Sequence, residues 1–479
     1  MVMRRVGCAL LAGAVIAAGA TVPQWAVPQS ALAATSATVA LSPAAGPPGG
    51  AVTVRGTHFG ATEAVDVSFD TARVATAHTT RSGSFTITLT VPAAAAPGTS
   101  KVRGVGRKSH RTAQATFTVL AAATWAQWRA DPARSGSNPA ERTLTPATVG
   151  RLHQLWSAAQ GGPGPQPPAV AGGVVFTEST EGFRAFDAGT GAVRWTSPTA
   201  HQRDVDHCAP GTGAGVVVQC LPLNTVLGLD AGTGAAVWND TVTTFNQYNS
   251  SPAIVGDTGY LGFVDRSDRE NVTAYDIATG HERWTRLLGQ FSFASVAVAD
   301  GRVYVNGGND GTVYALDAGT GAVVWSRKLG ILNSQDNPVA GTGQVYLHLG
   351  GSLLALDAAT GAQRWSAPGF GVPTVSGTVL YGTLAPDGSR RLAALDALTG
   401  KQLWAGKSAL PDNAGREVTV AGGVAYVSAG ADTIEALDAR DGTRLWTGRV
   451  ASQVGVSTPV VVGGRLYVVG GGTLFAFGL

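Results

Sequence analysis

The chain has 479 residues, of which 14 % are charged and 44 % are hydrophobic, and its formal net charge is +3 at pH 7. The leader described below contains Arg4 and Arg5, and its removal lowers the charge to +1. A nearly neutral chain of this kind has no overall electrostatic footprint for nucleic acid or for an anionic membrane surface. The 65 glycines and the scarcity of lysine favour short strands and tight turns over helices.

Residues 1–33 have the pattern of a signal peptide. A basic start, MVMRR, is followed by the apolar run VGCALLAGAVIAAGA and by the small residues SALA. The apolar run is too short to span a bilayer. We therefore predict export to the cell surface or the medium without membrane insertion, after cleavage near Ala33. The general export route is favoured over the twin-arginine route.

Two cysteines remain after cleavage, Cys208 and Cys220. An even number of cysteines in an exported protein predicts a structural disulfide, worth roughly 2–3 kcal/mol for a short loop.

Residues 37–120 alternate between apolar and polar side chains in short runs that are separated by turn residues. Seven such runs in about 80 residues predict a β-sandwich of the immunoglobulin type. The pattern GPPGGAVTVRGTHFG…VDVSFD…GSFTITLTVP resembles the IPT/TIG-type immunoglobulin-like modules of bacterial secreted proteins. Residues 121–124 are predicted to be a linker.

The sequence that follows repeats a motif close to ALDAGTGAVVW seven times, with tryptophans 39–46 residues apart. Asp is expected to cap the turn through its side chain, and the Gly of Thr-Gly supplies the positive φ of a hairpin. A small residue, Ala or Gly228, leaves room opposite the indole. Four strands in a period of about 40 residues predict a β-propeller blade. The seven aligned docking residues are Trp195, Trp238, Trp284, Trp325, Trp365, Trp404 and Trp446.

An eighth copy is split between the two ends of the repeat region. The chain ends at Ala476–Leu479, before the turn, whereas Trp156 lies one repeat length ahead of Trp195. An incomplete blade would leave a strand edge unpaired. The sequence therefore predicts an all-β chain in which the sandwich is followed by an eight-bladed β-propeller at 125–479, with its last blade closed by the strand that carries Trp156.

These motifs resemble the pyrroloquinoline quinone (PQQ) repeat β-propeller superfamily, which is marked by an AxDxxTGxxxW docking motif and an eight-bladed ring. The lead-in WAQWRADPARSGSNP also looks like that family. The resemblance implies the fold but leaves two functions open, because the superfamily includes quinone-dependent alcohol and sugar dehydrogenases and also non-enzymatic scaffolds.

A PQQ-dependent dehydrogenase acting on an alcohol or aldose would be expected to have an adjacent cysteine pair, calcium ligands and a free tryptophan below the quinone. The chain has no Cys-Cys sequence, and only Trp125 and Trp128 are left over, both expected to precede the ring. We therefore favour a chain without catalytic residues, metal or cofactor. The expected role is a secreted binding or scaffold protein for a protein, peptide or cell-envelope glycan, with no nucleic-acid partner.

The connections between blades carry the candidate binding residues, which are polar or aromatic and are expected to ring a funnel at one end of the propeller. One connection, HQRDVDHC, has His and Asp at a spacing compatible with metal binding, although a solvated loop is favoured. The candidates are Asp204, Asp206, His207, Asn246, Tyr248, Asn249, Gln335, Asp336, Asn337 and Gln453.

Overall fold

The computed structural model describes the chain in segments, and every structural statement below concerns these segments. They are residues 36–42, 44–46, 51–92, 95, 98–119, 124–162, 166–197, 208–221, 225–241, 250–264, 267, 269–290, 295–306, 311–330, 337–385, 389–411, 414–452 and 455–479. The chain divides into two compact units, and the boundary along the chain falls between Val119 and Leu120. Residues 96–98 are grouped with the second unit although they precede this boundary. Both units are built from β-strands, as the composition predicted.

The N-terminal unit is a sandwich of two sheets, with strand orders β1-β3-β6 and β2-β8-β7-β4-β5. Its strands are β1 (Thr38–Ser42), β2 (Ala45–Gly46), β3 (Ala51–Thr57), β4 (Ala64–Phe69), β5 (Ala72–His78), β6 (Phe85–Thr90), β7 (Gly98–Gly106) and β8 (Thr112–Val119). The predicted seven runs are all strands, and β2 is an additional two-residue strand that no alternation could reveal. Alternate residues such as Val54 and Val65 point inward and pack with Phe85 and Phe117.

The described part of the C-terminal unit contains eight sheets of four antiparallel strands each, and in one of them a fifth, two-residue strand (β9, Ser137–Asn138) pairs in parallel with the first strand. We number seven of them in chain order: sheet 1 is β11–β14, sheet 2 β15–β18, sheet 3 β19–β22, sheet 4 β23–β26, sheet 5 β27–β30, sheet 6 β31–β34 and sheet 7 β35–β38. Within each sheet the strands lie in chain order, from an innermost first strand to an outermost fourth strand.

The strands of sheets 1 to 4 are β11 (Ala169–Ala171), β12 (Val174–Ser179), β13 (Gly182–Asp187), β14 (Val193–Ser197), β15 (Gly211–Gly213), β16 (Val216–Leu221), β17 (Thr225–Asp230), β18 (Ala236–Thr241), β19 (Ala253–Val255), β20 (Thr258–Val264), β21 (Arg269–Asp276), β22 (Glu282–Gln290), β23 (Ser295–Ala299), β24 (Arg302–Asn306), β25 (Thr312–Asp317) and β26 (Val323–Lys328).

The strands of sheets 5 to 7 are β27 (Val339–Gly341), β28 (Gln344–Leu349), β29 (Ser352–Asp357), β30 (Gln363–Pro368), β31 (Thr374–Ser376), β32 (Val379–Leu384), β33 (Arg391–Asp396), β34 (Gln402–Ala409), β35 (Ala414–Ala421), β36 (Val424–Ala429), β37 (Thr433–Asp438) and β38 (Arg444–Arg449).

The eighth sheet, called here the closing sheet, combines both ends of the unit. It contains β39 (Val460–Val462), β40 (Arg465–Gly470) and β41 (Thr473–Gly478), and its outermost strand is β10 (His153–Ala159). Trp156 lies opposite Ala476 in the antiparallel pair of β10 and β41. A short 3-10 helix, Val149–Arg151, leads into β10. A strand from the start of the unit therefore supplies the edge that the last three strands lack.

Each neighbouring pair of sheets shares one apolar cluster. The clusters join sheet 1 to sheet 2 and so on to sheet 7, then sheet 7 to the closing sheet, and the closing sheet back to sheet 1. In the last of these, Tyr467 and Val462 pack with Val170 and Phe186. The Tyr467 hydroxyl also donates to the Ala188 carbonyl at 3.1 Å. The predicted all-β architecture of a sandwich followed by a propeller is confirmed.

Two faces of the propeller follow from the strand order. The turn face carries the hairpins between first and second strands and the Thr-Gly turns between third and fourth strands. The connection face carries the hairpins between second and third strands and the links from each sheet to the next. The innermost strands run from the connection face to the turn face.

Candidate functional site

The repeated Asp organises the Thr-Gly turn of its own sheet. In sheet 4, one Asp317 oxygen accepts from the backbone N–H of Gly319 and from both the N–H and the hydroxyl of Thr320, at 2.8–3.1 Å. The same set of bonds occurs at Asp187, Asp230 and Asp357. The Asp side chain therefore caps the Thr-Gly turn by hydrogen bonds, as the sequence predicted.

Arginines one strand later strengthen two of these caps. Hydrogen bonds from Arg194 and Thr190 lower the pKa of Asp187 to about 2, and those from Arg364 and Thr360 lower the pKa of Asp357 to about 2. A hydrogen bond from a charged guanidinium to a carboxylate favours the ionised form. These carboxylates stabilise turns and do not present themselves as acids or bases for catalysis.

The tryptophan of each sheet lies opposite a small residue on the third strand. The pairs are Ala185 with Trp195, Gly228 with Trp238, Ala274 with Trp284, Ala315 with Trp325, Ala355 with Trp365, Ala394 with Trp404, Ala436 with Trp446 and Ala476 with Trp156. A one-residue irregularity sits next to the indole in all eight sheets, on β10 between Gln154 and Trp156 in the closing sheet. Trp156 therefore occupies the same position as the seven tryptophans of the motif.

The indole also reaches the Thr-Gly turn of the following sheet. A Cβ added to Gly321 would lie 2.6 Å from the Trp284 ring, and one added to Gly191 would lie 2.5 Å from the Trp156 ring. The Trp284 indole N–H donates to Ala318 in the next sheet at 3.0 Å. Gly is thus required at the turn for its positive φ, which is 69° at Gly321, and for the space under the indole.

Residues 125–138, which we call the entry segment, lie against the innermost strands of all eight sheets. The sequence placed this segment ahead of the ring, and that expectation was wrong. Its contacts, all hydrogen bonds and in chain order, are Trp125 with Val170, Ala126 with Thr212, Gln127 with Ile254, Pro132 with Val298, Ala133 with Ala340, Ser135 with Val375, Gly136 with Val420 and Asn138 with Val461.

Each of these partners belongs to a different first strand, taken in order from β11 to β39. The segment pairs with the inward edge of each strand, so backbone groups that would otherwise face the centre of the propeller are satisfied. The short strand β9 (Ser137–Asn138) makes this pairing regular against β35. The chain itself therefore occupies the space between the first strands of the eight sheets.

Two buried arginines hold the entry segment in place. The Arg134 guanidinium donates to the carbonyls of Val296, Trp128 and Ser251 at 3.1, 3.0 and 2.5 Å. Burial lowers the pKa of Arg134 to about 9, so the side chain remains a cation at neutral pH.

Arg129 donates to the Pro373 carbonyl at 2.5 Å and forms an ion pair with Glu417 at 3.4 Å. Both guanidinium groups lie near the Trp128 ring, with Arg134 5.1 Å from its centre. The two side chains link the segment to sheets 3, 4, 6 and 7.

A small cavity lies between the entry segment and the connection-face ends of the first strands of sheet 7 and the closing sheet, and we call it the mouth. Its volume is about 10 Å³, room for about one water molecule, and it is lined by Trp125, Trp128 and Arg129 of the entry segment. Glu417 and Thr458 stand at its rim, where the Thr458 hydroxyl donates to the Glu417 carboxylate at 2.7 Å. The mouth exposes part of one indole, one partly exposed carboxylate and hydroxyl groups around a space of about one water molecule.

Most of the residues predicted for the funnel lie outside the described residues. They are Asp204, Asp206, His207, Asn246, Tyr248, Asn249, Gln335, Asp336 and Gln453. Asn337 is described: it immediately precedes β27 on the connection face and accepts a hydrogen bond from the Ser295 hydroxyl. Trp128, Arg129 and Glu417 were not among the predicted residues, because nothing in the local pattern of the entry segment relates it to β35.

Cys208 is buried, with its sulfur 3.8 Å from the Ser250 carbonyl oxygen. The side chain of Cys220 lies outside the described residues, so the disulfide stays a prediction.

Neither a metal cluster nor a membrane span occurs in the described segments. Among them, no three His, Cys, Asp or Glu side chains are grouped so as to hold a metal ion. They also contain no helix that is long and apolar enough to cross a bilayer.

The sheets, the docking tryptophans and the capped turns define a β-propeller of the PQQ-repeat type that follows an immunoglobulin-like module. The chain belongs to the family described as outer membrane protein assembly factor BamB, whose profile matches residues 151–260, 224–379 and 367–478. The profile of the IPT/TIG domain matches residues 37–119. The resemblances stated from the sequence are confirmed.

Individual proteins show the same likeness. The outer membrane protein assembly factor BamB of Moranella endobia is 23 % identical over 211 residues, which cover 42 % of this chain and 53 % of that protein. The chain spans about half the length of the curated relatives that it matches.

Solved structures with the same fold include both functional classes. The crystal structure of BamB from Moraxella catarrhalis superposes with a TM-score of 0.54 at 20 % identity and covers 68 % of this chain and 98 % of its own. A europium-containing methanol dehydrogenase superposes with a TM-score of 0.61 at 15 % identity and covers 74 % and 98 %. At these identities the likeness shows the fold alone.

Proposed function

We propose that this chain is a non-enzymatic scaffold of the cell envelope that binds a protein or peptide at the mouth on the connection face. One observation carries the proposal. The entry segment lies along the first strands of all eight sheets, and its Trp128 and Arg129 meet Glu417 on the side where those strands begin, which is the connection face. Polar groups around a partly exposed indole suit a peptide side chain or a loop of a partner.

The curated relatives support a protein partner. Their names describe a factor that assembles outer membrane proteins, which is a role based on binding. The Gly-, Ala-, Val- and Arg-rich composition of this chain fits a high-GC, Gram-positive bacterium, and we therefore propose a secreted or envelope-bound protein as the partner. A cell-wall glycan is the alternative ligand that we propose for the same mouth.

The alternative function is a PQQ-dependent dehydrogenase, the class to which the methanol dehydrogenase of the same fold belongs. The residues present do not fit that cofactor. Arg129 and Arg134 already lie 5.8 and 5.1 Å from the centre of the Trp128 ring, the chain has no adjacent cysteines, and the described residues hold no carboxylate cluster for calcium. We derive no reaction through the quinone.

The connection face exists as one surface only if the eight sheets form a single ring. We propose that the eight sheets are the blades of one closed ring, that the eight tryptophans dock each blade on the next, and that the two domains span residues 37–120 and 125–479. Export with cleavage near Ala33 and a Cys208–Cys220 disulfide belong to the same proposal. The pairing of Trp156 with Ala476 and the contact of Tyr467 with Ala188 support the closed ring.

The test places one lysine at the mouth and compares it with one lysine on the opposite face. The mouth variant is Thr458→Lys, and its control is Ala322→Lys in an exposed Thr-Gly turn. The purified mature chain is immobilised, and secreted proteins of the source culture are passed over it. We expect a captured protein to bind the wild type and the control but to lose at least about tenfold in affinity for the mouth variant.

Equal loss in both variants, at unchanged melting temperatures, would show that the mouth is not the binding site. A second assay supplies PQQ, calcium and a panel of alcohols and aldoses with a redox dye. Bleaching of the dye by the wild-type chain would replace the scaffold proposal with the dehydrogenase.

A further inference from the structure

The near-neutral total charge conceals a strong imbalance between the two units. Residues 36–119 contain eight arginines and lysines but only three acidic residues, whereas residues 124–479 contain 24 basic and 28 acidic residues. The immunoglobulin-like module therefore carries a net charge of +5 and the propeller a net charge of −4. A charge of that size on a module of fewer than 90 residues attracts polyanions by itself.

The acidic residues of the module do little to neutralise this charge. Asp66 pairs with Arg107 at 2.8 Å and with Arg73 at 3.3 Å. Asp70 accepts from the backbone N–H of Lys101. Glu63 is buried and bonds only to loop groups, as described next. Most of the exposed cations thus have no carboxylate beside them in the described part of the module.

Glu63 ties together the loops at one end of the sandwich. Its carboxylate accepts from the backbone N–H groups of Gly60, Lys108 and Ser109 at 2.5–2.9 Å and from the Ser109 hydroxyl. Burial alone would raise the pKa of Glu63, but these hydrogen bonds outweigh it and lower the pKa to about 2. The carboxylate therefore stays ionised at neutral pH and holds the loop backbone, but it forms no ion pair with a basic side chain of the described module.

Loops 58–63, 79–84 and 107–111 consequently form one fixed end of the module. The Phe59 N–H donates to Gly83 at 3.0 Å, and Arg111 donates to the His58 carbonyl at 2.6 Å. Arg81, Lys108 and Arg111 are exposed on these loops and form no ion pair within the described residues. We call this surface, with His58 and His110 beside it, the basic loop end. Its cations are held on a rigid frame, so little conformational entropy is lost when they bind.

The kind of polyanion is indicated by the aromatic and apolar side chains of the module and by its secondary structure. The aromatic residues of the module are Phe59, Phe69, Phe85 and Phe117, and all four are buried. Exposed aromatics on which bases could stack are thus missing, as is any helix in the described module that could enter a duplex groove. No large hydrophobic side chain of the described module is exposed for insertion into lipid.

We propose that the basic loop end of the immunoglobulin-like module binds an acidic polysaccharide. The surface lies on the N-terminal unit, so its failure would leave the proposed partner site on the propeller untouched. Binding rests on release of counterions from a charged polymer and therefore weakens steeply with salt.

The experiment measures binding of the mature chain to dextran sulfate, with neutral dextran as the matched polymer. We expect binding to dextran sulfate alone. The variant with Arg81→Gln, Lys108→Gln and Arg111→Gln should lose about tenfold or more in affinity at low salt. The variant with Arg55→Gln, Lys101→Gln and Arg103→Gln makes the same charge change on the sheets of the same module and should lose less than about threefold.

Two further variants keep the result interpretable. Arg81→Lys with Arg111→Lys retains the charge and should bind as the wild type does. Arg81→Gln with Lys108→Gln leaves the Arg111 contact intact and should still lose several-fold, even if the triple variant unfolds. Equal losses in the loop and sheet variants, or tighter binding to duplex DNA than to dextran sulfate at equal charge concentration, would overturn the proposal.

Discussion

At the scale of single residues, the Gly of each Thr-Gly turn satisfies two demands at once. Gly321 adopts a φ of 69°, and its Cα faces the Trp284 indole so closely that a methyl group there would lie 2.6 Å from the ring. Gly343 has nearly the same φ, 71°, but nothing lies within 4 Å of the position of its Cβ. A side chain at Gly343 would meet only backbone strain, whereas one at Gly321 would also collide with the indole. Comparing substitutions at the two positions therefore distinguishes the two effects.

Gly321→Ala is expected to destabilise the propeller by about 2–4 kcal/mol, because backbone strain adds to a forced shift of the indole. Gly343→Ala is expected to destabilise it by only about 1 kcal/mol. Thermal unfolding of the two variants beside the wild type measures the difference. Equal effects would mean that the indole does not depend on the turn beneath it.

Glu178 is a buried carboxyl group whose environment changes its protonation state. It lies at the end of β12, and burial raises its pKa to about 8 despite a hydrogen bond with Gln219. Since the pKa is higher in the folded chain than in the unfolded one, its contribution to stability is complete at low pH. That contribution is lost as the pH rises through about 8.

Glu178→Gln should therefore raise the free energy of unfolding by about 1–3 kcal/mol at pH 8.5 and change it little at pH 4.5. Melting temperatures of both proteins across this range provide the measurement. A constant difference at all pH values would show that the carboxyl group remains ionised when folded.

At the scale of elements, the entry segment decides what kind of site the propeller can have. Fourteen residues without strand periodicity satisfy the inner edges of eight strands, and Arg134 reaches three backbone carbonyls in or near that segment and sheets 3 and 4. A buried cation of this kind is stable only while its partners remain in place.

Arg134→Met is expected to lower the free energy of unfolding by about 3–5 kcal/mol, because three buried carbonyls lose their donor. Arg134→Lys keeps the charge without the planar fork and should have a smaller effect. As a surface control, Arg286→Met on the exposed face of β22 should lie within about 0.5 kcal/mol of the wild type. Chemical denaturation of the three variants checks the order, and an unaffected Arg134→Met would show that the segment is held by its backbone alone.

At the scale of the whole molecule, the capped carboxylates recur in every part of the chain. Glu63 in the sandwich and Asp187 and Asp357 in the propeller each have a pKa near 2 when folded. A lowered pKa in the folded state contributes stability above the pKa of the unfolded chain. That contribution disappears as the pH falls from about 4 to about 2.

Both units should therefore lose stability steeply below about pH 4, with uptake of several protons on unfolding. Circular dichroism and proton-uptake titration measure this transition. Asp187→Asn with Asp357→Asn should make the acid transition of the propeller shallower and leave that of the sandwich unchanged. Acid unfolding of the same steepness in the double variant would assign the transition to other groups.

Local patterns predicted much of this molecule. Period-2 alternation identified the seven longer strands of the sandwich, and the repeated turn identified the four-stranded unit and the position of Trp156 opposite Ala476. Such features depend on residues close in sequence or repeated at a constant spacing. The short strands β2 and β9 were missed, because two residues carry no periodicity.

The site was less predictable, for a physical reason. The charge of the immunoglobulin-like module could be read from its composition, but the assembly of its basic loops depends on Glu63 bonding to residues 45 and 46 positions away. The mouth likewise brings Trp128 and Arg129 to Glu417, a separation of 288 residues for the ion pair. No local pattern encodes such contacts.

By itself the amino-acid sequence determined that the chain is built of β-strands. It also showed two regions with different sequence patterns, and one turn that recurs next to a tryptophan. These features could be predicted because turns and strand faces are set by residues that are near neighbours in the sequence. Only the tertiary structure decided that residues 125–138 lie along the first strands of the eight sheets. That outcome depends on backbone groups at the inner edges of eight strands, which are brought together only after the sheets have packed.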